Sequence, residues 1–157
     1  MTIQSRRQIL VSAFALAAGV AGLTRSAHAS SEQQAKDMVA KAIALHAEKG
    51  EAAFAIFNEG KASGFSDGEI YIVVQSRGAD GKVLAHGADA KMVGTPLSEI
   101  SDQNGLKFAE VMSVEATAAG SWFEYDWLNP ETGVVSKKKS WAVLVGDIIF
   151  LAGIYVN

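Results

Sequence analysis

A run of lysines among aromatic residues is the part of this sequence best suited to chemistry. Lys138 is the centre of a Lys-Lys-Lys run, and all three tryptophans of the chain lie in the same stretch, 120–141. An ammonium group beside aromatic rings can hold a small anion through charge-assisted hydrogen bonds, each worth about 1.5–3 kcal/mol. The stretch therefore indicates a pocket for a small anion such as a carboxylate.

The stretch has the pattern of a β-hairpin. A strand over 121–128 leads into a turn over 129–133, and a second strand follows over 134–145. Pro130 fixes φ at the start of the turn, and Gly133 can take a positive φ at little cost. The lysine run and the tryptophans are thus predicted to lie on two antiparallel strands.

Side chains alternate between the two faces of a strand, so only part of the hairpin can line one pocket. On the first strand Phe123, Tyr125 and Trp127 share a face. On the second strand Lys138 and Ser140 share a face, and the neighbouring lysines point the opposite way. The alternation allows the central lysine or its two neighbours to bind the anion, but not all three.

A histidine is a further candidate for the pocket. His86 ends a predicted strand over 82–86 and precedes Gly87, so its imidazole lies where the strand opens into a loop. A ring N–H at this point could donate to the same carboxylate as the lysine. A plain strand-end role for His86 and a core role for Tyr125 remain open.

The first residues have the features of an export signal. Arg6 and Arg7 precede a short apolar run over 9–23, and an A-x-A cleavage site follows at 27–29. Residues 5–10 also resemble the twin-arginine export signal, with an ordinary secretory signal as the alternative. The sequence predicts cleavage after Ala29 and a bacterial, periplasmic mature chain.

Removal of this signal changes the charge of the protein. Residues 1–29 hold three arginines and no acid, so the net charge falls from −3 to −6 for the single domain predicted over 30–157. This acidic balance argues against nucleic acid or anionic lipid as a partner. The chain has no cysteine, which excludes a thiolate nucleophile or a Cys-ligated metal. No second apolar span follows, so no membrane span is expected in the mature chain.

The remaining pattern predicts an α+β domain. Ser31 heads a capping box, and apolar residues then recur at helical spacing up to Lys49, which predicts a long amphipathic helix. The other predicted elements are helices over 51–58 and 106–118 and strands over 69–76, 82–86 and 148–156. Five antiparallel strands with helices packed to one side give a PAS-like topology.

An ordered set of short motifs along most of the chain resembles the single Cache domain family. The motifs are DGxVxAH at 80–86, xGxxL at 93–97, DxxGxxF at 102–108, GxWxxY at 120–125, NPxTG at 129–133, KxSY at 138–141 and GIY at 153–155. Trp141 replaces the usual tyrosine of the sixth motif. No single motif is decisive, but their order along the chain is specific.

Cache domains are extracytoplasmic, PAS-like sensor modules of chemoreceptors and histidine kinases. The resemblance implies a long N-terminal helix packed on a five-stranded antiparallel sheet, with a pocket for a small metabolite, often a short carboxylate or an amino acid. It selects Lys138 as the binding lysine, because this residue holds the family's lysine position. The candidate ligand-binding residues are Lys138, Tyr125, His86, Trp127, Phe123 and Ser140.

Three classes of function follow from these observations. The leading prediction is a periplasmic binding module, not an enzyme and without cofactor or metal, that signals through a separate membrane receptor or kinase, as in chemotaxis. The second is a small α+β lyase or isomerase with His86 or His46 as general base. The third is a ligand-free interaction protein. A homodimer that pairs the N-terminal helices of two copies is also open.

Overall fold

The computed structural model describes the backbone of residues 20–156 and the side chains of residues 31–156. Most of the predicted signal peptide lies outside the described residues, and its cleavage after Ala29 stays a prediction. Among the helices that the structure describes, none combines the length and the apolar character needed to cross a membrane.

Within residues 20–156, three helices and six strands form the domain, joined by short 3₁₀ turns. The helices are α1 (Val20–Lys49), α2 (Ala52–Asn58) and α3 (Phe108–Glu115). The strands are β1 (Ser66–Asp67), β2 (Ile70–Ser76), β3 (Val83–His86), β4 (Ser121–Leu128), β5 (Val135–Val145) and β6 (Ile148–Tyr155). Every predicted helix and strand is present, and most ends agree to within a few residues.

The long helix begins earlier than the sequence pattern predicts. α1 starts at Val20, so Ser31 lies inside the helix and does not cap it. Residues 20–30 include alanine, leucine and arginine, which favour helix, and no proline. The prediction of the end at Lys49 is confirmed.

In the part of the chain that the structure describes, the antiparallel sheet has six strands, whereas five were predicted. Its order is β1-β2-β6-β5-β4. β3 lies off this path and pairs with β2 over residues 73–75. The additional strand β1 has two residues, which pair with Tyr71 and Ile70 of β2. A two-residue strand is too short to show a period of two, so the sequence pattern predicts no strand here.

Helices cover both faces of the sheet, which corrects the prediction that they pack to one side. On the first face α1 packs against β2, β5 and β6, and α2 packs against β2 and β3. Val39, Ile72 and Phe150 belong to the buried cluster of this face. On the second face α3 brings Met112 into the cluster that contains Leu151. α3 is amphipathic, and the second face offers the apolar surface that its buried side needs.

The second face also carries the predicted pocket residues of the hairpin. In the register of β4 with β5, Tyr125 lies directly opposite Lys138, and Phe123 lies opposite Ser140. Side chains directly opposite on one face are close enough to interact. The predicted alternation of the hairpin is therefore confirmed, and α3 with its neighbouring loops forms the cover above these residues.

Candidate ligand-binding site

Lys138 is the most deeply buried charged side chain among residues 31–156, with 2% exposure. Its Nζ lies 3.6 Å from the centre of the Tyr71 ring and 4.8 Å from that of Tyr155. The ion pairs of the described residues do not include Lys138, and their hydrogen bonds include none from its Nζ. Among the described residues, the ammonium therefore lies against two aromatic rings and has no carboxylate within ion-pair distance.

Burial holds the pKa of Lys138 well below its ordinary value of 10.5, while the nearby charge of Glu69 acts in the opposite direction. The Glu69 carboxylate is itself fixed: one oxygen accepts from Asn129 Nδ2 at 3.0 Å, and the other from the Tyr155 backbone N–H at 3.4 Å. An ammonium that is buried without a paired anion is costly. Lys138 is thus the group of this face that gains most from an added anion.

His86 presents one ring nitrogen for donation. Its Nδ1 accepts from the backbone N–H groups of Asp89 at 2.9 Å and Ala88 at 3.3 Å. Burial and the Lys138 ammonium lower the pKa of His86 to about 4, with Asp89 acting against them. The ring is therefore neutral at pH 7, and because Nδ1 is an acceptor, its proton lies on Nε2.

Tyr125 is fixed in the core beside the lysine. Its hydroxyl lies 2.8 Å from Ser140 Oγ, and its ring stacks on Phe108 with a centre-to-centre distance of 3.8 Å. Burial raises the pKa of Tyr125, so the hydroxyl remains protonated. Ser140 is fully buried and positions Tyr125, whereas Phe123 packs into the core under α3.

A small internal cavity connects four of the six candidate residues. It has a volume of about 30 Å³ and is lined by Lys138, His86, Tyr125 and Trp127, together with Tyr71, Gln75 and apolar side chains. A cavity of this size is large enough to hold water or a small ligand group. Phe123 and Ser140 do not line it.

An open cleft of about 690 Å³ adjoins this cavity. The two spaces share four lining residues: Tyr71, His86, Met92 and Trp127. The cleft continues along the hairpin past Leu128. A ligand that enters from the cleft thus meets the lysine only after passing these four side chains.

Comparison with known families agrees with the motifs and the fold. The family model described as single Cache domain 2 matches residues 17–148. The chain belongs to the single Cache domain family. A search of curated proteins gives no match to this Cache domain.

Solved structures show the same fold. A methyl-accepting chemotaxis protein from Vibrio parahaemolyticus is similar with a TM-score of 0.65 and 16% identity, over 87% of this Cache domain chain and 96% of that chain. A Cache chemosensory domain described for carboxylic acid recognition gives a TM-score of 0.58 and 20% identity, over 89% of this chain and 100% of that chain. The periplasmic sensor domain of a chemotaxis protein gives a TM-score of 0.56 and 19% identity, over 87% of this chain and 97% of that chain.

Three residues that the sequence analysis did not select complete the site of this Cache domain. Tyr71 and Tyr155 provide the rings around the ammonium. Gly153 makes room for it, because a Cβ there would lie 2.3 Å from Ser140 Oγ and 2.7 Å from Lys138 Cε. Two features of the sequence could have pointed to these residues. Strand alternation places Tyr71 on the second face, and the GIY motif contains Gly153 and Tyr155.

Proposed function

We propose that this Cache domain is a periplasmic sensor module that binds a short carboxylate or an amino acid beside Lys138. The observation that carries the proposal is the buried ammonium of Lys138, which has no carboxylate partner among the described residues and borders a cavity. His86 and Tyr125 line the same cavity, and each carries a group, Nε2–H or hydroxyl, that can donate a hydrogen bond to a ligand. The relative described for carboxylic acid recognition supports this ligand class.

Binding a carboxylate would supply the missing anion. Each hydrogen bond from Lys138 or His86 to the carboxylate contributes about 1.5–3 kcal/mol. A ligand of about four to six heavy atoms can reach at most roughly −6 to −9 kcal/mol. This range corresponds to dissociation constants from tens of micromolar to below one micromolar. The site therefore suits sensing of a metabolite better than tight scavenging.

We further propose that ligand occupancy is passed to a separate membrane receptor or kinase, in chemotaxis or a related signalling process. Two of the structural relatives are described as chemotaxis proteins, which supports this role. A homodimer through α1 is one arrangement in which such a signal could be transmitted. Crosslinking in cells after ligand addition, followed by mass spectrometry, identifies the partner.

The enzyme alternative requires a histidine positioned as a general base, which a hydrogen-bonded carboxylate usually orients. His86 Nδ1 instead accepts from backbone N–H groups. The ring of His46 stacks on Phe54 and contacts Phe150 edge-on. These contacts favour a positioning role for His86 and a packing role for His46, so they give the lyase hypothesis no support.

Carboxylate binding is expected to take up a proton. Burial lowers the pKa of Lys138 in the free protein, and a bound carboxylate raises it again. The affinity is therefore greatest below the lowered pKa and falls by up to tenfold for each pH unit as the pH rises through it. Isothermal titration calorimetry with a short carboxylate in buffers of different ionisation enthalpy measures this uptake. If the binding heat is the same in every buffer at each pH between the lowered pKa of Lys138 and its ordinary value of 10.5, no proton is taken up and the expectation is contradicted.

Export is the remaining part of the proposal. If residues 1–29 are a twin-arginine signal, replacing Arg6 and Arg7 with lysines retains the precursor in the cytoplasm. The mature periplasmic protein is expected to begin at Ser30. Mass spectrometry of the periplasmic fraction checks both points, and a mature protein that still appears with the lysine pair argues for the ordinary secretory route.

A further inference from the structure

The sheet has one long and regular edge strand. β4 ends the strand order, and its eight residues pair with β5 without a register shift. The opposite edge consists of β1, which has two residues, and β3, which has four and pairs with β2 through a register shift. Short or irregular edges protect a sheet from association, whereas a long regular edge favours it. Among the described strands, β4 is therefore the edge at which another strand can add.

β4 also has a composition that suits strand pairing. Its sequence, SWFEYDWL, holds no proline and no lysine, the residues that most often block an exposed edge. Half of its residues are aromatic, and aromatic residues favour strands. Trp122 on the first face and Phe123 on the second are both only half-buried. Each face of the strand thus has apolar surface that a neighbouring strand could cover.

Two residues of β4 direct backbone groups away from the sheet. The Asp126 N–H points outward, where it donates to Asp102 Oδ2 at 3.4 Å. Every second residue of an antiparallel edge strand directs its N–H and C=O the same way, so those of Trp122 and Glu124 also point outward. Among the described residues, no hydrogen bond outside the β4–β5 ladder uses the backbone of either residue. The open part of the edge therefore spans residues 122–124.

A second copy of β4 can bond to these groups in a symmetric register. With the two-fold axis beside Phe123, Trp122 of each copy lies opposite Glu124 of the other, and each pair exchanges both N–H···O=C bonds. The sheet then continues from one copy into the next, with both α1 helices on the same side. An axis beside Glu124 would instead place two like charges directly opposite each other, which is destabilising.

The register centred on Phe123 also brings together two opposite charges. Among the described residues, neither Glu124 nor Lys36 takes part in an ion pair. Lys36 Nζ lies on the first face, 5.7 Å from the centre of the Trp122 ring and 4.7 Å from that of Trp141. Glu124 of one copy lies beside Trp122 of the other, within reach of the lysine over that ring. The two copies are thus complementary in charge as well as in hydrogen bonding.

We infer that β4 is the interface of a homodimer, in which two copies pair antiparallel about Phe123 and form reciprocal Glu124–Lys36 ion pairs. A second copy fits this edge because the open residues complement each other across the two-fold axis. The contact requires no ligand and is distinct from a pairing of α1 helices. It therefore goes beyond the proposed function and can be tested without a ligand.

Sedimentation equilibrium of the mature domain over a range of concentrations tests the charge pairs. Glu124→Lys places an ammonium beside Lys36 of the partner copy, and Lys36→Glu places a carboxylate beside Glu124. Each is expected to raise the dimer dissociation constant about tenfold or more. The double variant exchanges the two charges and should return the constant to within about threefold of the wild type. Asp80→Lys, in the exposed β2–β3 turn, makes the same change in net charge as Glu124→Lys and should leave the constant unchanged.

Hydrogen exchange and a proline variant test the strand pairing itself. In the dimer the amide protons of Trp122 and Glu124 are hydrogen-bonded, so their exchange should slow about tenfold or more as the protein concentration rises through the dissociation constant. Glu124→Pro removes an outward N–H and leaves the β4–β5 ladder intact, because proline is tolerated on an edge strand when its nitrogen faces solvent. This variant is expected to be monomeric, with the circular dichroism of the wild type.

The outcomes decide the inference in either direction. Concentration-dependent protection of Trp122 and Glu124, together with recovery of the dimer in the double charge variant, supports it. A wild-type domain that is monomeric up to about 1 mM overturns it. A dimer that Glu124→Lys and Glu124→Pro leave unchanged uses another surface, such as α1, and also overturns it. Loss of the dimer in both single charge variants without recovery in the double variant overturns the ion pairs and with them this register.

Discussion

Replacing Lys138 with methionine is expected to stabilise the free domain and to abolish carboxylate binding. The substitution removes a buried ammonium that has no paired anion among the described residues, and it keeps an unbranched side chain of similar size. Replacement of buried charge by packed apolar groups often adds about 1–4 kcal/mol to the free energy of unfolding. Urea denaturation measures the gain, and calorimetry with hexanoate measures the loss of binding.

The stability gained from Lys138→Met is expected to change with pH in one direction. The pKa of Lys138 is lowered in the folded protein relative to 10.5 in the unfolded chain. The unfolded chain therefore binds more protons between these two values, and the stability of the wild type falls as the pH decreases through that window. The gain in unfolding free energy from Lys138→Met should increase as the pH decreases through this window and stay constant below it.

Lys139→Met is the matched control on the same strand. Lys139 points to the opposite face, where its Nζ lies 2.8 Å from Glu32 Oε1 and 4.8 Å from the centre of the Trp122 ring. Loss of such a partly exposed pair is expected to cost at most about 1 kcal/mol and to leave carboxylate binding unchanged. Equal effects of the two substitutions on binding would contradict a specific role for Lys138.

Gly153→Ala is expected to disturb the site from the neighbouring strand. The added Cβ would lie 2.3 Å from Ser140 Oγ, 2.7 Å from Lys138 Cε and 2.9 Å from the Lys139 carbonyl oxygen. Overpacking of this kind usually costs about 1–3 kcal/mol of stability. Because the lysine must move to relieve the contact, carboxylate affinity should fall together with the unfolding free energy.

A double-mutant cycle separates this contact from a general loss of stability. Ser140→Ala removes the nearest atom to the new Cβ, so Ser140→Ala with Gly153→Ala should cost less than the sum of the single changes. Ser140→Ala alone also removes the partner of the Tyr125 hydroxyl and is expected to cost about 1 kcal/mol. Strict additivity, measured by urea denaturation, would show that the glycine is not needed for the close packing of Lys138 and Ser140.

Much of the site could be predicted from local sequence rules. The period of two along the hairpin placed Tyr125 and Lys138 on one face, and their direct pairing confirms it. The same period separated Tyr71 from Ile72 on β2, and the structure places these two on opposite faces. Such alternation is a property of a single strand and requires no knowledge of the tertiary structure.

The rest depends on which strands become neighbours. Tyr71 and Tyr155 enclose the ammonium because β6 lies between β2 and β5, an order that strand patterns do not encode. Ser140 is predicted as a ligand residue because it shares a face with Lys138, and that face does not reveal that its Oγ lies 2.8 Å from the Tyr125 hydroxyl. The position of α3 on the second face is likewise tertiary, since its apolar stripe fits either face of the sheet. Neither the cavity nor the adjoining cleft has a counterpart in local sequence.

A crystal structure of the mature domain with hexanoate tests most directly whether Lys138 holds the ligand. We expect one carboxylate oxygen at about 2.7–2.9 Å from Lys138 Nζ, the distance of a charge-assisted hydrogen bond. His86 Nε2 should lie within hydrogen-bond distance of the same group, with the tail along Trp127 in the cleft. A carboxylate bound elsewhere, with Lys138 still enclosed by Tyr71 and Tyr155 alone, would contradict this site.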